Sequence, residues 1–440
     1  MNPRSSRTVT VAAVLLAAAS ASAEPQKLTF QQAIDMSLKD NPDIAIAKEA
    51  INGAEARIDE QKGHRIAQLN VNANADLYTE PYQLPFGTEV FTLHKQFIWN
   101  STVQLSQPLT GLGYLTELVD AAKNETDAVK QDYQRTRLDT AYKTADAYIR
   151  VLEARAAAEV AHQSVADTTQ LLTRAEELKA ADTYTAVDVL RFKTAKAAAD
   201  QAALRADTAI LTTLANLTVQ LGLHDGAPID ITDDLPVQAP KLVYSLEAAQ
   251  KRALDTRPEL AAAALRIKAA EEQKTAAKYK YAPDVRLTAQ WLHTYGVDPF
   301  QPKNEEWLGL TANWAVWDWG STHAQVKQAE SAKTRAELQQ GALVDQVKLD
   351  MRRRYLEAKT QFDSIAVAQT QQDSAQAAYD LQKTRLENGV ATTTDVLDSE
   401  TELAKAKLSL ANARYDYYLA LVALARSVGD LPQQGAAGGR

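Results

Sequence analysis

The sequence has no cysteine among its 440 residues, which excludes disulfide bridges, thiolate metal sites, cysteine nucleophiles and lipid attachment to an N-terminal cysteine. Glycine and proline are sparse, at 16 and 14 residues, and aromatic residues make up only 7%. So few helix-breaking residues favour long helices. The formal net charge of -8 argues against nucleic acid as a partner, because surfaces that bind nucleic acid are basic.

Sequence patterns typical of catalysis and metal binding are missing as well. The six histidines show no metal-ligand spacing, and neither a Gly-x-Ser-x-Gly motif, a phosphate-binding loop nor a dinucleotide fingerprint occurs. We interpret acidic pairs such as Glu305-Glu306 as parts of solvated loops. The sequence therefore predicts no catalytic residue, no metal site and no cofactor.

The N-terminus is typical of a secretory signal peptide. Two arginines precede an apolar stretch at 9–19, and Ala21-Ser22-Ala23 has the small residues of a cleavage site. We expect residues 1–23 to be removed, so that the mature chain begins at Glu24. A transmembrane helix is disfavoured, because the stretch is shorter than the roughly 18 residues of a span.

The mature chain repeats its own pattern. Asn41-Pro42 matches Arg257-Pro258 at a shift of 216 residues. Further along, Asp188-Val189-Leu190 matches Asp395-Val396-Leu397 at a shift of 207. The difference implies about nine extra residues in the first half, and the pattern predicts a surface hairpin loop for them between residues 79 and 100.

Each repeat is predicted to contain a helix, two strands separated by a polar loop, and two long helices joined by a short turn. The first repeat covers 24–235 and the second 236–430, before a flexible tail at 431–440. The predicted strands are 67–78, 97–107, 284–295 and 307–317. The predicted long helices are 112–179, 185–221, 320–386 and 393–428.

The predicted strands alternate between apolar and polar residues. Between Leu69 and Leu77, for example, apolar residues are interleaved with Asn70, Asn72 and Asn74. Outer-membrane strands show this alternation over roughly 10 residues and carry aromatic girdles at both membrane interfaces. Four strands are too few for a closed barrel, since single-chain barrels begin at about eight, so we expect several copies to combine. A small soluble β-sandwich with a tryptophan core is the alternative.

All six tryptophans lie in or beside the predicted strands. We interpret them as membrane-interface aromatics. They are Trp99, Trp291, Trp307, Trp314, Trp317 and Trp319.

The predicted long helices contain no proline, and the two longest, 112–179 and 320–386, would each reach about 100 Å at 1.5 Å per residue. In the last long helix, 393–428, apolar residues follow alternating steps of three and four, which predicts a coiled-coil seam. The seam residues are Leu403, Ala406, Leu410, Ala413, Tyr417, Ala420 and Leu424. A soluble fibrous coiled coil is the alternative interpretation of this pattern.

The turns between the long helices are predicted to differ in the two repeats. In the second repeat, Asn388-Gly389 offers a left-handed residue to end one helix, and a run of threonines offers an N-cap for the next. The first repeat has Ala181, Asp182 and Thr183 in the matching place, without a glycine. We therefore expect hairpin tips of different shape.

These features, together with the stretch from Gly389 to Leu431 and its run from Leu410 to Tyr417, resemble the TolC family of outer-membrane efflux and secretion channels. The resemblance implies a mainly α-helical homotrimer, in which four strands from each subunit form a twelve-stranded barrel continued by an α-helical periplasmic tunnel. It implies a location in the outer membrane of a Gram-negative bacterium, extending into the periplasm. The implied function is a passive exit duct of a tripartite efflux pump or a type I secretion system.

By the same resemblance, the partners are outer-membrane lipid, a periplasmic adaptor (membrane fusion) protein and an inner-membrane pump. The pump would be of the resistance-nodulation-division, ABC or major facilitator type. The residues that would contact adaptor or pump lie in the two hairpin tips. They are Ala181, Asp182, Thr183, Asn388, Gly389, Val390 and Ala391.

Asp395 and Asp398 lie where the family has a carboxylate ring lining the periplasmic entrance. Residues three apart share one helical face, and three copies would bring six carboxylates around the pore. The alternative for Asp395 is a helix N-terminal charge that the macrodipole favours.

The sequence departs from the family pattern in the tips. A tyrosine and an arginine that help to close the family's entrance are replaced by Leu386 and Ala391, and Asp182 occupies the place of a glycine. Closure must therefore use other contacts. The alternative function is a soluble periplasmic coiled-coil scaffold or adaptor, although adaptors usually have one helical hairpin rather than a duplicated pattern.

Overall fold

The structure is a computed structural model that describes residues 26–224, 226–233, 239–242, 245–297, 302–388 and 390–432. The predicted signal peptide at 1–23, Gly389 in the second hairpin turn, and residues 433–440 of the predicted tail lie outside the described residues.

Eight helices and seven strands make up the described part of the chain. The helices are α1 (Phe30–Asp40), α2 (Pro42–Gly63), α3 (Leu112–Ala180), α4 (Ala186–Gln220), α5 (Leu246–Thr256), α6 (Pro258–Tyr279), α7 (Ser321–Glu387) and α8 (Thr393–Val428). The strands are β1 (Gln26–Leu28), β2 (Gln68–Leu77), β3 (Tyr82–Phe86), β4 (Glu89–Pro108), β5 (Ile229–Ile231), β6 (Asp284–Val297) and β7 (Asn304–Asn313).

Local sequence signals explain where the helices begin and end. The short helices α1 and α5 stop before Pro42 and Pro258, because a proline at the first position of the next helix cannot continue the previous one. The long helices α3 and α7, with 69 and 67 residues, each extend over about 100 Å. Among the described residues, no helix is both long and apolar enough to cross a membrane.

Four antiparallel strands form one sheet in the order β2-β4-β6-β7, and β3 pairs with the first part of β4. The surface hairpin predicted between residues 79 and 100 is thus built from paired strands, and β4 begins at Glu89 instead of near residue 97. Gly87, with a φ of +66°, provides the left-handed residue of its turn. The prediction of a loop at Glu305-Glu306 was also wrong, because both residues lie in β7 and pair with β6.

All connections between the four-stranded sheet and the helices lie at the same end of the sheet. There, β2 follows α2, β4 leads into α3, β6 follows α6, and β7 leads into α7. The opposite end carries the β3–β4 hairpin and the β6–β7 connection. The molecule thus has a strand end and a helical end, with the two hairpin turns α3–α4 and α7–α8 furthest from the sheet.

The main core lies in the middle of the helical part. Here α1, the parallel pair β1–β5 and the second half of α8 pack around the centre of α3, with Phe30, Tyr148 and Tyr417 fully buried. A smaller core joins α5, α7 and α8 around Met351. All seven residues of the seam in α8 are buried, because this helix has neighbours on several sides.

Candidate functional site: the strand sheet and the helical hairpin tips

The two faces of the four-stranded sheet have opposite polarity. On one face, Leu69, Leu105, Ala289 and Leu308 form a row across the strands. One residue further along each strand, Asn70, Gln104 and Gln290 form a row on the other face, since successive side chains point to opposite sides. The apolar face is exposed over its whole height in a single chain, and an apolar area of this size marks a contact with lipid or protein. Its large exposed residues are Leu69, Val71, Leu77, Phe97, Trp99, Leu105, Leu287, Trp291, Leu308 and Leu310.

Both outer strands of the sheet pair on one side only. Within the described residues, β2 pairs with β4 alone and β7 pairs with β6 alone. Each of these strands therefore presents a row of backbone N–H and C=O groups that another strand can bind. Both edges are therefore open to antiparallel pairing with an edge strand of another copy.

The tryptophans take three different positions. Trp99 and Trp291 lie on the apolar face. Trp307 pairs with Gln290 and so lies on the polar face, where its ring packs over Gly309. Its role as a membrane-interface aromatic stays a prediction.

The other three tryptophans follow β7 at the helical end of the sheet. Trp314 donates a hydrogen bond from its indole nitrogen to the carbonyl of Tyr281 at 3.1 Å. Trp317 and Trp319 meet edge to face, with ring centroids 5.7 Å apart, and Trp319 is 89% exposed. Exposed aromatic rings thus occur towards both ends of the sheet, and their role at the membrane interfaces stays a prediction.

The two hairpin turns are closed by the same hydrogen bond. The Thr183 N–H donates to the Leu178 carbonyl at 2.9 Å, and the Val390 N–H donates to the Arg385 carbonyl at 2.9 Å. Both bonds connect residues five apart, as in a Schellman turn. Asp182 adopts the left-handed conformation, with a φ of +55°, that a glycine would otherwise supply. The prediction of turns with different shapes is therefore not met by their hydrogen bonding.

The predicted tip residues lie at the surface. Ala181, Asp182, Thr183, Asn388 and Val390 are exposed. Ala391 is half-buried, and Gly389 lies outside the described residues.

Asp395 is part of the cap of α8. Its carboxylate accepts a hydrogen bond from the Thr392 N–H at 2.9 Å, while the Asp395 N–H donates to the Thr392 hydroxyl at 3.2 Å. This reciprocal capping box satisfies two N–H groups that the first turn would leave unpaired. The hydrogen bonds to Thr392 hold the pKa of Asp395 below its ordinary value. Asp398 lies one turn further along, and both carboxylates are exposed.

Two hydrogen bonds join the hairpins to each other beside these caps. The Thr393 hydroxyl donates to the Asp188 carboxylate at 3.1 Å, and the Arg191 guanidinium donates to the Thr394 hydroxyl at 3.0 Å. Asp188 also caps α4 through Thr185, and these hydrogen bonds lower its pKa. Asp188 and Arg191 were not among the predicted site residues, although the shift of 207 residues makes them the counterparts of Asp395 and Asp398.

Apolar packing supports the joined tips. Leu171, Val189, Phe192, Val396 and Leu403 are buried between the hairpins. Leu386 packs against this cluster. Burial of apolar side chains thus holds the two hairpins together at their tips.

A carboxylate lies buried between the helices two turns beyond the tips. Glu400 of α8 is 6% exposed and accepts a hydrogen bond from the Ser164 hydroxyl of α3 at 2.6 Å. Burial raises the pKa of Glu400, and the nearby Asp167 of α3 raises it further, whereas Lys407 lowers it. The buried Tyr379 of α7 lies near the Glu400 carboxylate. The sequence contains no signal for this group, because its burial results from three helices meeting.

An amphipathic four-stranded sheet on one end of two very long helical hairpins defines the class of outer-membrane channel subunits with a helical extension. The chain belongs to the outer membrane efflux protein family, whose model matches residues 33–223 and 249–430. It is similar to the outer membrane efflux protein BepC of Brucella suis, with 24% identity over 331 residues, covering 74% of this chain and 71% of that protein. It is also 30% identical over 127 residues to the outer membrane protein TolC of Escherichia coli, covering 29% and 26% of the two chains.

Solved structures share the fold. The CusC structure superimposes with a TM-score of 0.79 at 16% identity, covering 91% of this chain and 92% of that one. The MtrE outer membrane channel of Neisseria gonorrhoeae, in its open state, gives a TM-score of 0.73 at 17% identity, covering 92% and 90%.

The family and fold settle several predictions. The expected family and the mainly helical fold with a strand portion are confirmed. The protein is located in the outer membrane and belongs to a family of channels, which are not enzymes. The soluble scaffold considered from the sequence is therefore excluded.

Proposed function

We propose that the protein is a passive exit duct of a tripartite efflux pump or a type I secretion system, and that it works as a homotrimer. The observation that carries this proposal is the amphipathic sheet with two unpaired edges. Two copies would supply eight strands, and a barrel of eight strands is so narrow that side chains fill its interior. Three copies supply twelve strands, apolar outside and polar inside, around a wider lumen.

The helices support the same assembly. On α4, Leu204 and Leu211 are one heptad apart, and on α7 so are Leu349 and Leu356. All four are more than half exposed in a single chain. Apolar residues at this spacing form coiled-coil seams, so these stripes are suited to packing between neighbouring copies as a continuous tunnel wall.

The hairpin tips are the proposed contact surface for a periplasmic adaptor and for an inner-membrane pump of the resistance-nodulation-division, ABC or major facilitator type. Their exposure, and their position at the end remote from the sheet, support this assignment. In a trimer, Asp395 and Asp398 from three copies would place six carboxylates at the entrance. Such a ring favours cations over anions.

Single-channel conductance of the purified protein in planar bilayers tests the duct and the ring together. We expect wild-type channels to be blocked by La³⁺ added to the periplasmic side, and the block to be lost in Asp395→Asn/Asp398→Asn. Asparagine removes the charge but keeps an oxygen that can accept the Thr392 hydrogen bond. Asp345→Asn on α7, a strongly exposed carboxylate away from the tips, is the control. Channels whose block survives in the double variant would contradict the ring, and protein that never conducts would contradict the duct.

A further inference from the structure

The apolar face of the sheet is interrupted by a polar patch near its strand end. Across the strands, one row of this face consists of Ala73, Ser101, His293 and Asn304. A row nearer the helices, formed by Leu69, Leu105, Ala289 and Leu308, is entirely apolar. We call the interruption, with the residues around it, the outer patch. It consists of Lys95, Trp99 and Ser101 of β4, Trp291, His293 and Tyr295 of β6, and Asn304 and Glu306 of β7.

His293 is the centre of the outer patch. Its ring nitrogen lies 2.7 Å from the Asn304 side-chain oxygen, and Trp291 stacks beside it with ring centroids 6.0 Å apart. Tyr295, two residues along the strand, lies on the same face. Aromatic residues thus lie on both sides of the imidazole along its strand.

The two neighbouring strands complete the outer patch with polar groups. The Trp99 indole N–H donates to the Ser101 hydroxyl at 2.6 Å. Glu306 lies opposite Trp291 and is exposed, and the Lys95 ammonium lies 5.2 Å from the centre of the Tyr295 ring. The outer patch therefore offers aromatic faces, hydrogen-bonding groups, one carboxylate and one ammonium within a few strand spacings.

Backbone geometry holds β4 and β6 close together at this place. Gly296 has a φ of +92°, and a Cβ added there would lie 2.2 Å from the Phe97 carbonyl oxygen. Only glycine allows this approach, which accompanies the shift in register between His94 and Trp99. The arrangement of Trp99 against Tyr295 is therefore built into the sheet.

We propose that the outer patch binds the sugar-phosphate headgroup of the glycolipid in the outer leaflet of the membrane. The inference rests on the proposed function, since that function directs the apolar face to lipid and the strand end to the exterior. Polar side chains facing hydrocarbon are costly unless they find partners, and an aliphatic chain provides none. Sugar hydroxyls match the imidazole, amide, hydroxyl and carboxylate of the patch, sugar C–H faces match its aromatic rings, and a phosphate matches Lys95.

Native mass spectrometry of the full-length mature protein, released from detergent, tests this inference with two defined probes. The probes are lipid A, which carries glucosamine phosphates, and phosphatidylglycerol, which carries a phosphate without an amino sugar. We expect lipid A to bind at least tenfold more tightly. His293→Leu/Asn304→Leu should weaken lipid A binding about tenfold, as expected for the loss of two modest hydrogen bonds, and leave phosphatidylglycerol binding unchanged.

The matched control is Gln104→Leu/Gln290→Leu, which makes the same kind of change on the opposite face of neighbouring strands. It should bind lipid A like the wild type. Equal affinity of the wild-type protein for the two lipids would overturn the proposal, and this comparison needs no folded variant. Equal loss in both double variants would overturn it as well. A wild-type protein that does not insert into membranes would instead contradict the proposed duct.

Discussion

The link between the two hairpin tips allows a quantitative test. Thr393 is 4% exposed, and its hydroxyl donates to the Asp188 carboxylate at 3.1 Å. Thr393→Val keeps the shape of the side chain and removes the donor. A hydrogen bond to a charged group contributes about 1.5 to 3 kcal/mol, and we take the lower part of that range because Asp188 retains its bonds to Thr185.

A loss of about 1.5 to 2 kcal/mol in the free energy of local opening corresponds to roughly 13- to 30-fold faster amide exchange in the first turns of α8. Hydrogen–deuterium exchange of residues 393–400 in the detergent-solubilised assembly measures this rate. Thr401→Val is the matched control, because its hydroxyl donates to the Leu397 carbonyl of its own helix and not to the other hairpin in the described part of the chain. Exchange in Thr393→Val no faster than in Thr401→Val would refute the link.

Two further predictions concern the interior near the tips. Phe192 is fully buried between the hairpins, so Phe192→Ala should lower the free energy of unfolding by about 3 to 5 kcal/mol, and a loss below about 1 kcal/mol in thermal unfolding would contradict its role. Burial raises the pKa of Glu400, so the folded chain binds the proton of this carboxyl group more tightly than the unfolded chain does. The stability of the wild type should therefore fall as the pH rises from the ordinary carboxyl range through the raised pKa. Glu400→Gln should remove this part of the decline in melting temperature, and parallel pH profiles for the two proteins would contradict the assignment.

Sequence alternation predicted the faces of β2 and of β6 as far as Trp291, because apolar and polar residues alternate there, whereas Leu292 lies on the polar face of β6. In β7, Trp307 and Leu308 are both large and apolar, and the pairing of Trp307 with Gln290 places Trp307 on the polar face. The repeat offset predicted a surface hairpin between residues 79 and 100 but not its strand pairing, since Pro81 and Pro85 disfavour a strand. Pro85 is tolerated because β3 is an edge strand in the described residues.

At the hairpin tips, local signals were visible in the sequence and long-range ones were not. The cap formed by Thr392 and Asp395 follows from residue spacing, and the structure contains it. The partners of Thr393 and Thr394 lie more than 200 residues away in the other hairpin. Asp182 in a left-handed conformation was not anticipated, because the missing glycine suggested a different turn.

Closure of one barrel by strands from three copies is the central claim, and disulfide cross-linking tests it most directly. The chain has no cysteine, so Val71→Cys on β2 and Leu308→Cys on β7 introduce a single pair on the apolar face. Within one chain these strands are three spacings apart, about 14 Å, which exceeds the roughly 7 Å that a disulfide spans. Any bond must therefore join different copies.

Oxidation of membranes that contain the double variant, with Leu310→Cys as an alternative partner to sample the register, should give covalent dimers and trimers on a non-reducing gel. Each single-cysteine variant should give no trimer. The account predicts that the series stops at three chains, because the barrel is then closed. Cross-linked species that end at two chains, or continue beyond three, would contradict it.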